Sequence, residues 1–300
     1  MTTSTTSVTS EQRKQCMQIA DDAVRRAFHE VPLDRESIQR FIENSEKFQA
    51  CIIDCVRDLS LSNRFTNEEI GSNYTYPEGY NAHPTLEENI QDLGEELKIL
   101  RASFPELKNS DFDRHFGYRI RTGEITLPEG AERWTLIPLW SKIASHDKAV
   151  TRVLDIIEPG HDHTRTGEGY LRRQNRTEKM LRILREQQHN NDILLVAVQF
   201  GLRHRGRSVR RAREVLADNE FVLGTFEVGI MLLTHPEREV QIEQLDVDCA
   251  GDEYNGKVEL NDDYSRRAMF YFRDGKIRSD SELLKTACSY NGSVSAFLLK

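Results

Sequence analysis

Apolar residues recur through the first hundred positions at the three- and four-residue intervals of amphipathic helices. Met17, Ala20, Val24, Ala27 and Val31 follow Thr9 and Gln12, a pair with capping-box spacing. After Pro32, Asp34 can cap a longer helix with Ile38, Phe41, Ile42, Phe48, Ile52, Cys55, Val56 and Leu59 on one stripe. Residues 71–84, rich in Asn, Tyr, Gly and Pro, are predicted to form a loop. Thr85 and Glu88 give a second capping box, followed by Leu86, Ile90, Leu93, Leu97 and Leu100. That narrow seam is the spacing of a helix packed on another helix.

Beyond Phe104 and Pro105 the pattern changes. Residues 118–127 alternate about Thr122-Gly123 and predict a hairpin, and residues 134–140 predict a buried strand. Ala149, Val150, Val153, Leu154 and Ile157 predict a helix ended by Pro159-Gly160. A basic helix is expected over residues 170–188, an apolar strand over 192–200, and a helix capped by Ser208 to about residue 217. Residues 222–234 predict a helix despite two glycines, and residues 240–248 a strand. Residues 268–279 predict a strand turning at Asp274-Gly275, with a last helix from Ser281. The expected class is α+β: a tail over residues 1–10, a helical region over 11–105 and a mixed helix-and-strand domain over 106–300.

Hydrophobic residues make up 38% and charged residues 30%, a balance that fits much solvated helix surface. No apolar run approaches the ~18 residues of a membrane span, and the Ser/Thr-rich start lacks the apolar stretch of a secretory signal. Five cysteines, at 16, 51, 55, 249 and 288, form no disulfide framework, and Cys51 with Cys55 reads as one packed helix face. Those features point to a cytoplasmic protein without membrane partners.

The net charge of −8 argues against a general nucleic-acid coat, yet it is unevenly spread. Residues 165–214 hold 13 Lys or Arg against 5 Asp or Glu, so the remainder carries −16, and twelve of those cations are arginine. Six fall in residues 201–213, just after an apolar strand and across a helix start. Free N–H groups and the helix dipole favour anions there. Arginine adds a planar fork that grips phosphate or carboxylate. Arg203, Arg205, Arg207, Ser208, Arg210 and Arg211 are therefore candidate phosphate-binding residues, for RNA, DNA or a nucleotide. Cations at a helix start oppose its dipole, so acids of the same chain are the competing partners. In that case the arginines would belong to a structural or protein-interaction scaffold. The preceding basic helix adds Arg172, Arg173, Arg176, Lys179, Arg182 and Arg185. Residues 201–213, with 228–238 and 248–253, resemble hypothetical bacterial proteins of no known function. The resemblance covers the C-terminal third and implies a shared fold and no activity.

Residues 243–263 hold eight acids against one lysine. Asp248, Asp252 and Glu253 are candidate ligands for Mg²⁺ in a metal-dependent phosphoryl hydrolase or nuclease, with the arginines holding substrate. His161 and His163 could seed a zinc site, although exposed loop histidines are the simpler reading, and His204 and His235 read as structural.

Overall fold

Thr9 and Gln12 exchange the two hydrogen bonds of a capping box, at 3.0 and 3.2 Å, and open helix α1, Ser10–Glu30. Asp34 caps α2, Arg35–Glu43, by accepting from the Ser37 N–H at 2.7 Å. These helices come from a computed structural model that describes residues 9–45, 48–49, 52, 64–160, 171–255 and 264–299. Contacts divide the chain into two units, Met1–Leu61 and Ser62–Lys300. In the first, Phe28 meets Phe41 edge to face with ring centroids 5.2 Å apart. Residues 1–8 of the expected tail, Cys51, Cys55, His161 and His163 lie outside the described residues, and the last two tail residues, Thr9 and Ser10, instead cap and open α1.

The first α-helix described in the second unit is α3, Leu86–Ser103, opened by the Thr85–Glu88 capping box. Its predicted seam is buried at Leu93, Leu97 and Leu100; it packs on a strand, β1, Arg133–Pro138, and also on the helix Thr225–Thr234. β1 is an edge strand, and α3 satisfies its free backbone groups. The Asn89 amide exchanges two 2.8 Å bonds with the Trp134 backbone, and Glu96 accepts from Leu136 N–H at 2.6 Å.

α4 covers Arg114–Arg121, α5 His146–Ile157 and α6 Asn175–Gln187. α7 is the short Val209–Glu214 and α8 is Thr225–Thr234. The remaining strands are β2, Leu171–Arg173; β3, Ile193–Gln199; β4, Glu220–Val222; and β5, Asp246–Tyr254. After them come β6, Arg266–Arg273; β7, Lys276–Leu283; β8, Asn291–Ser293; and β9, Ser295–Phe297. One sheet runs β1-β3-β9-β4, all antiparallel. The other runs β2-β5-β6-β7, with β8 added parallel to β5. This is the α+β class.

α8 is apolar nearly all round, the pattern of a helix with no solvent face, and it contacts β1 of one sheet, β5 of the other, α3 and α5. A Cβ at Gly229 would lie 2.4 Å from Val153 of α5, so glycine is what lets these helices approach.

Several expectations need correction. The boundary drawn at residue 105 falls inside the second unit, because α3 is buried against β1 and not in a separate helical body. The hairpin over residues 118–127 is instead the end of α4 and a loop; its Phe116 and Ile120 are buried at helical spacing. Helix α6 starts five residues late because residues 171–173 pair with β5. The strand expected at 240–248 is displaced to β5, so Asp252 and Glu253 sit in the strand. No helix begins at Ser281: residues 276–283 pair along the whole of β6 through the predicted Asp274-Gly275 turn. Among the described residues, no helix is long and apolar enough to cross a membrane.

Candidate anion-binding cleft and the arginine loop

The strand–loop–helix unit of the arginine cluster forms as expected, with Ser208 Oγ capping α7 by accepting from Arg211 N–H at 3.1 Å. The partners of the arginines are acids and carbonyls of the chain itself. Arg207 Nε donates to Glu69 Oε1 at 2.8 Å and Arg211 Nε to Glu69 Oε2 at 2.9 Å. Arg210 pairs with Glu68, which also accepts from Ser208 Oγ at 2.6 Å. Arg205 donates to the Tyr74 carbonyl at 3.1 Å, and Arg213 to Glu253 at 2.6 Å. Glu68 thus supplies at the start of α7 the negative charge that a row of cations there requires.

Arg203 and His204 converge on Glu220, whose carboxylate is fully buried. Nε of Arg203 lies 3.2 Å and Nε2 of His204 2.8 Å from its oxygens, and Ser295 and the Ala217 N–H also donate. Burial raises the Glu220 pKa, but the hydrogen bond and charge of His204, the charge of Arg203 and the Ser295 hydroxyl outweigh it. They bring the group down to about 2.

The loop's geometry depends on Gly206, with φ at +74°. A Cβ there would lie 2.2 Å from the Ile70 carbonyl oxygen. The same strands of chain are tied by Ile70 N–H to Gly206 O at 2.9 Å and Ser208 N–H to Glu68 O at 2.9 Å. Gly206→Ala should therefore cost about 1–3 kcal/mol from backbone strain, read as a lower denaturation midpoint. An unchanged midpoint would show that the loop tolerates the side chain.

The acidic segment does not assemble the expected metal site. Asp248 Oδ1 lies 2.7 Å from Arg267 Nε, a charge contact off the hydrogen-bond axis, and accepts from the Asn291 amide at 2.8 Å. Asp252 Oδ2 accepts from Thr225 N–H at 2.6 Å. Glu253 is held by Arg172, Arg213 and Gln174. Each carboxylate already has cationic or N–H partners. Among the described residues no group of three or more His, Cys, Asp or Glu could hold a metal ion.

A cleft of about 440 Å³ opens between β1 and the segment after it on one side and α6 on the other. Its strand wall is Ile137, Pro138, Leu139, Trp140 and Ser141, and Leu181 and Leu194 extend the apolar surface. Lys179, Arg182 and Arg185 project from successive turns of α6, with Asn175 and Glu178 nearer its start. Among the described residues, none of these three cations forms an ion pair, in contrast to the arginine loop. Arg185 Nε is buried without an acceptor.

Behind the cleft lies a buried polar array. Arg173 and Glu227, both lining residues, pair at 2.7 Å, with side chains 8% and 2% exposed. Glu227 accepts from the Gly224 N–H at 3.1 Å, and so caps α8 as well. The second guanidinium arm of Arg173 lies 2.8 Å from His146 Nε2. Arginine can only donate, so that nitrogen accepts and the ring carries its proton on Nδ1. Asp252 Oδ1 is 4.0 Å from the same Nε2 and has no hydrogen-bond partner, and neither has Arg173 Nε. Burial holds the Asp252 carboxyl above the usual range, against the opposing charge of Arg173.

The α6 cations were visible in the sequence as a basic helix, but Arg172 and Arg176 do not share their face. Arg172 belongs to β2 and pairs with Glu253, and Arg176 donates to the Glu220 carbonyl at 2.8 Å. Trp140 and His146 carried no signal beyond an apolar strand end and a helix start. No protein-family description matches this chain, and no curated protein or solved structure is similar to it at a significant level.

Proposed function

We propose that the protein binds a phosphate-bearing ligand and that the cleft between β1 and α6 receives it. The observation that supports this reading is the contrast in pairing. The arginines of residues 203–213 find acids or carbonyls of the chain. Lys179, Arg182 and Arg185 line a cleft without ion-pair partners among the described residues. Like charges at helical spacing repel one another, and an anionic ligand in the cleft would relieve that repulsion among Lys179, Arg182 and Arg185. The guanidinium fork suits phosphate oxygens in particular.

The test is pyrophosphate binding followed by thermal unfolding and calorimetry. Saturating pyrophosphate should raise the melting temperature, since a ligand at a hundredfold its Kd stabilises by about 2.7 kcal/mol. Arg182→Gln with Arg185→Gln should leave the ligand-free protein close to wild type in stability and weaken pyrophosphate tenfold or more. Arg207→Gln with Arg211→Gln should instead unfold more easily, because Glu69 loses both partners. No pyrophosphate effect at millimolar concentration, or full binding by the α6 variant, would end this assignment.

A further inference from the structure

We infer that the ligand of the cleft is a nucleoside phosphate, its base lying against Trp140 and its phosphate reaching Arg182 and Arg185. The inference rests on the phosphate reading above and adds the chemistry of the rest of the ligand. Its ground is that the two walls differ in kind. The α6 wall is cationic, whereas the facing wall offers Pro138, Leu139 and the Trp140 indole. A free phosphate or a sugar phosphate has no surface to match an apolar wall. A nucleotide has a planar, largely apolar base at one end and its charge at the other.

Trp140 is only half-buried, and its ring is held edge-on by His146, with centroids 5.6 Å apart at 74°. His146 is itself fixed by its contact with Arg173. A half-buried indole with a set orientation on the lining of a cleft can serve as a stacking platform, and stacking on aromatic side chains is how proteins hold bases of any identity. Ser141 and Asn175, also on the lining, can donate to or accept from a base edge. The cleft's volume of about 440 Å³ lies in the ~300–1,000 Å³ range of small-molecule sites. A polymer would also meet a chain of net charge −8 outside the cleft, where backbone contact needs cations. A mononucleotide fits these constraints better than a strand.

The chain has two tryptophans, and Trp134 is 2% exposed, so ligand-dependent quenching reports on Trp140. Full-length protein should be titrated with AMP, ribose 5-phosphate, adenosine and a short single-stranded oligodeoxythymidylate, by fluorescence and by calorimetry. AMP should quench and bind at least tenfold more tightly than ribose 5-phosphate. Trp140→Leu should remove most of that advantage, a loss of roughly 5- to 150-fold for one stacked base, while ribose 5-phosphate stays within twofold. The comparison of AMP with ribose 5-phosphate on the wild type stands even if the variant folds poorly. Equal binding of those two ligands would overturn the nucleoside assignment and leave the phosphate reading intact. Failure of AMP, ribose 5-phosphate and pyrophosphate together would overturn both. Binding of the oligonucleotide with no binding of AMP would overturn the mononucleotide and point to a polymer.

Discussion

Glu220→Ala should lower the melting temperature of the protein by roughly 10 °C. Removing one partner of a buried ionic group costs about 3–5 kcal/mol, and a domain of this size loses about 2–4 °C per kcal/mol. Glu220 is the acceptor for Arg203, His204 and Ser295, all three reaching it inside the second unit. The alanine leaves His204, 1% exposed, facing Arg203 with no carboxylate between them. The wild-type group also has a pH signature. Its pKa is depressed to about 2, so its contribution is present above the unfolded carboxylate range and lost as pH falls through that value. Acid denaturation of the variant should accordingly show a shallower dependence below about pH 4.5. A variant with wild-type melting behaviour would mean that the network is solvated and that the burial assigned to it is wrong.

The opposite slope is expected at higher pH, from Glu239. Burial pushes this carboxyl up to about 8, with Asp246 adding to the rise and Arg238 opposing it. Although Arg238 Nη1 lies 3.4 Å away, that weak contact does not offset the loss of water around a residue 1% exposed. A folded pKa above the unfolded one means that the fold favours the protonated acid. Its stability contribution is therefore complete below about pH 4.5 and lost as pH rises through about 8. At 1.36 kcal/mol per pKa unit, the change is on the order of a few kcal/mol. Asp246, pushed to about 7 by burial and by Asp248, slopes in the same direction. Urea denaturation at pH 5.5, 7 and 9 should show falling stability in the wild type and a flatter profile in Glu239→Gln. Identical profiles for the two proteins would exclude Glu239 as the source.

Most caps, and the tight turn at Asp274-Gly275, were legible where a residue and its partner are close in sequence. Thr9 with Gln12, Asp34 with Ser37, Thr85 with Glu88 and Ser208 with Arg211 all form the predicted caps. The Asp274-Gly275 turn takes positive φ at both residues, at 52° and 74°, as a two-residue hairpin requires. Uniformly apolar stretches became β3 and α8, both buried, because such stretches have nowhere else to go. These features fix φ and ψ or burial through neighbours a few residues away, so composition and spacing suffice.

Tertiary structure alone decided which strand a segment joined and which charge met which. Ser281 has the chemistry of a helix cap, yet it lies opposite Ala268 because β6 offers a full ladder to residues 276–283. The acids expected to gather a metal were separated, Asp248 facing Arg267 and Glu253 facing Arg172 and Arg213. The arginines expected to meet phosphate met acids and carbonyls of the chain, Arg210 pairing with Glu68 from 142 positions away, while the less conspicuous cations of α6 were left facing a cleft. Charge pairing acts through space over a few ångströms and carries no spacing rule along the chain. The amino-acid sequence by itself therefore determined most of the caps, the Asp274-Gly275 turn and the most apolar buried elements, and their packing determined which cations among the described residues met a carboxylate and which did not.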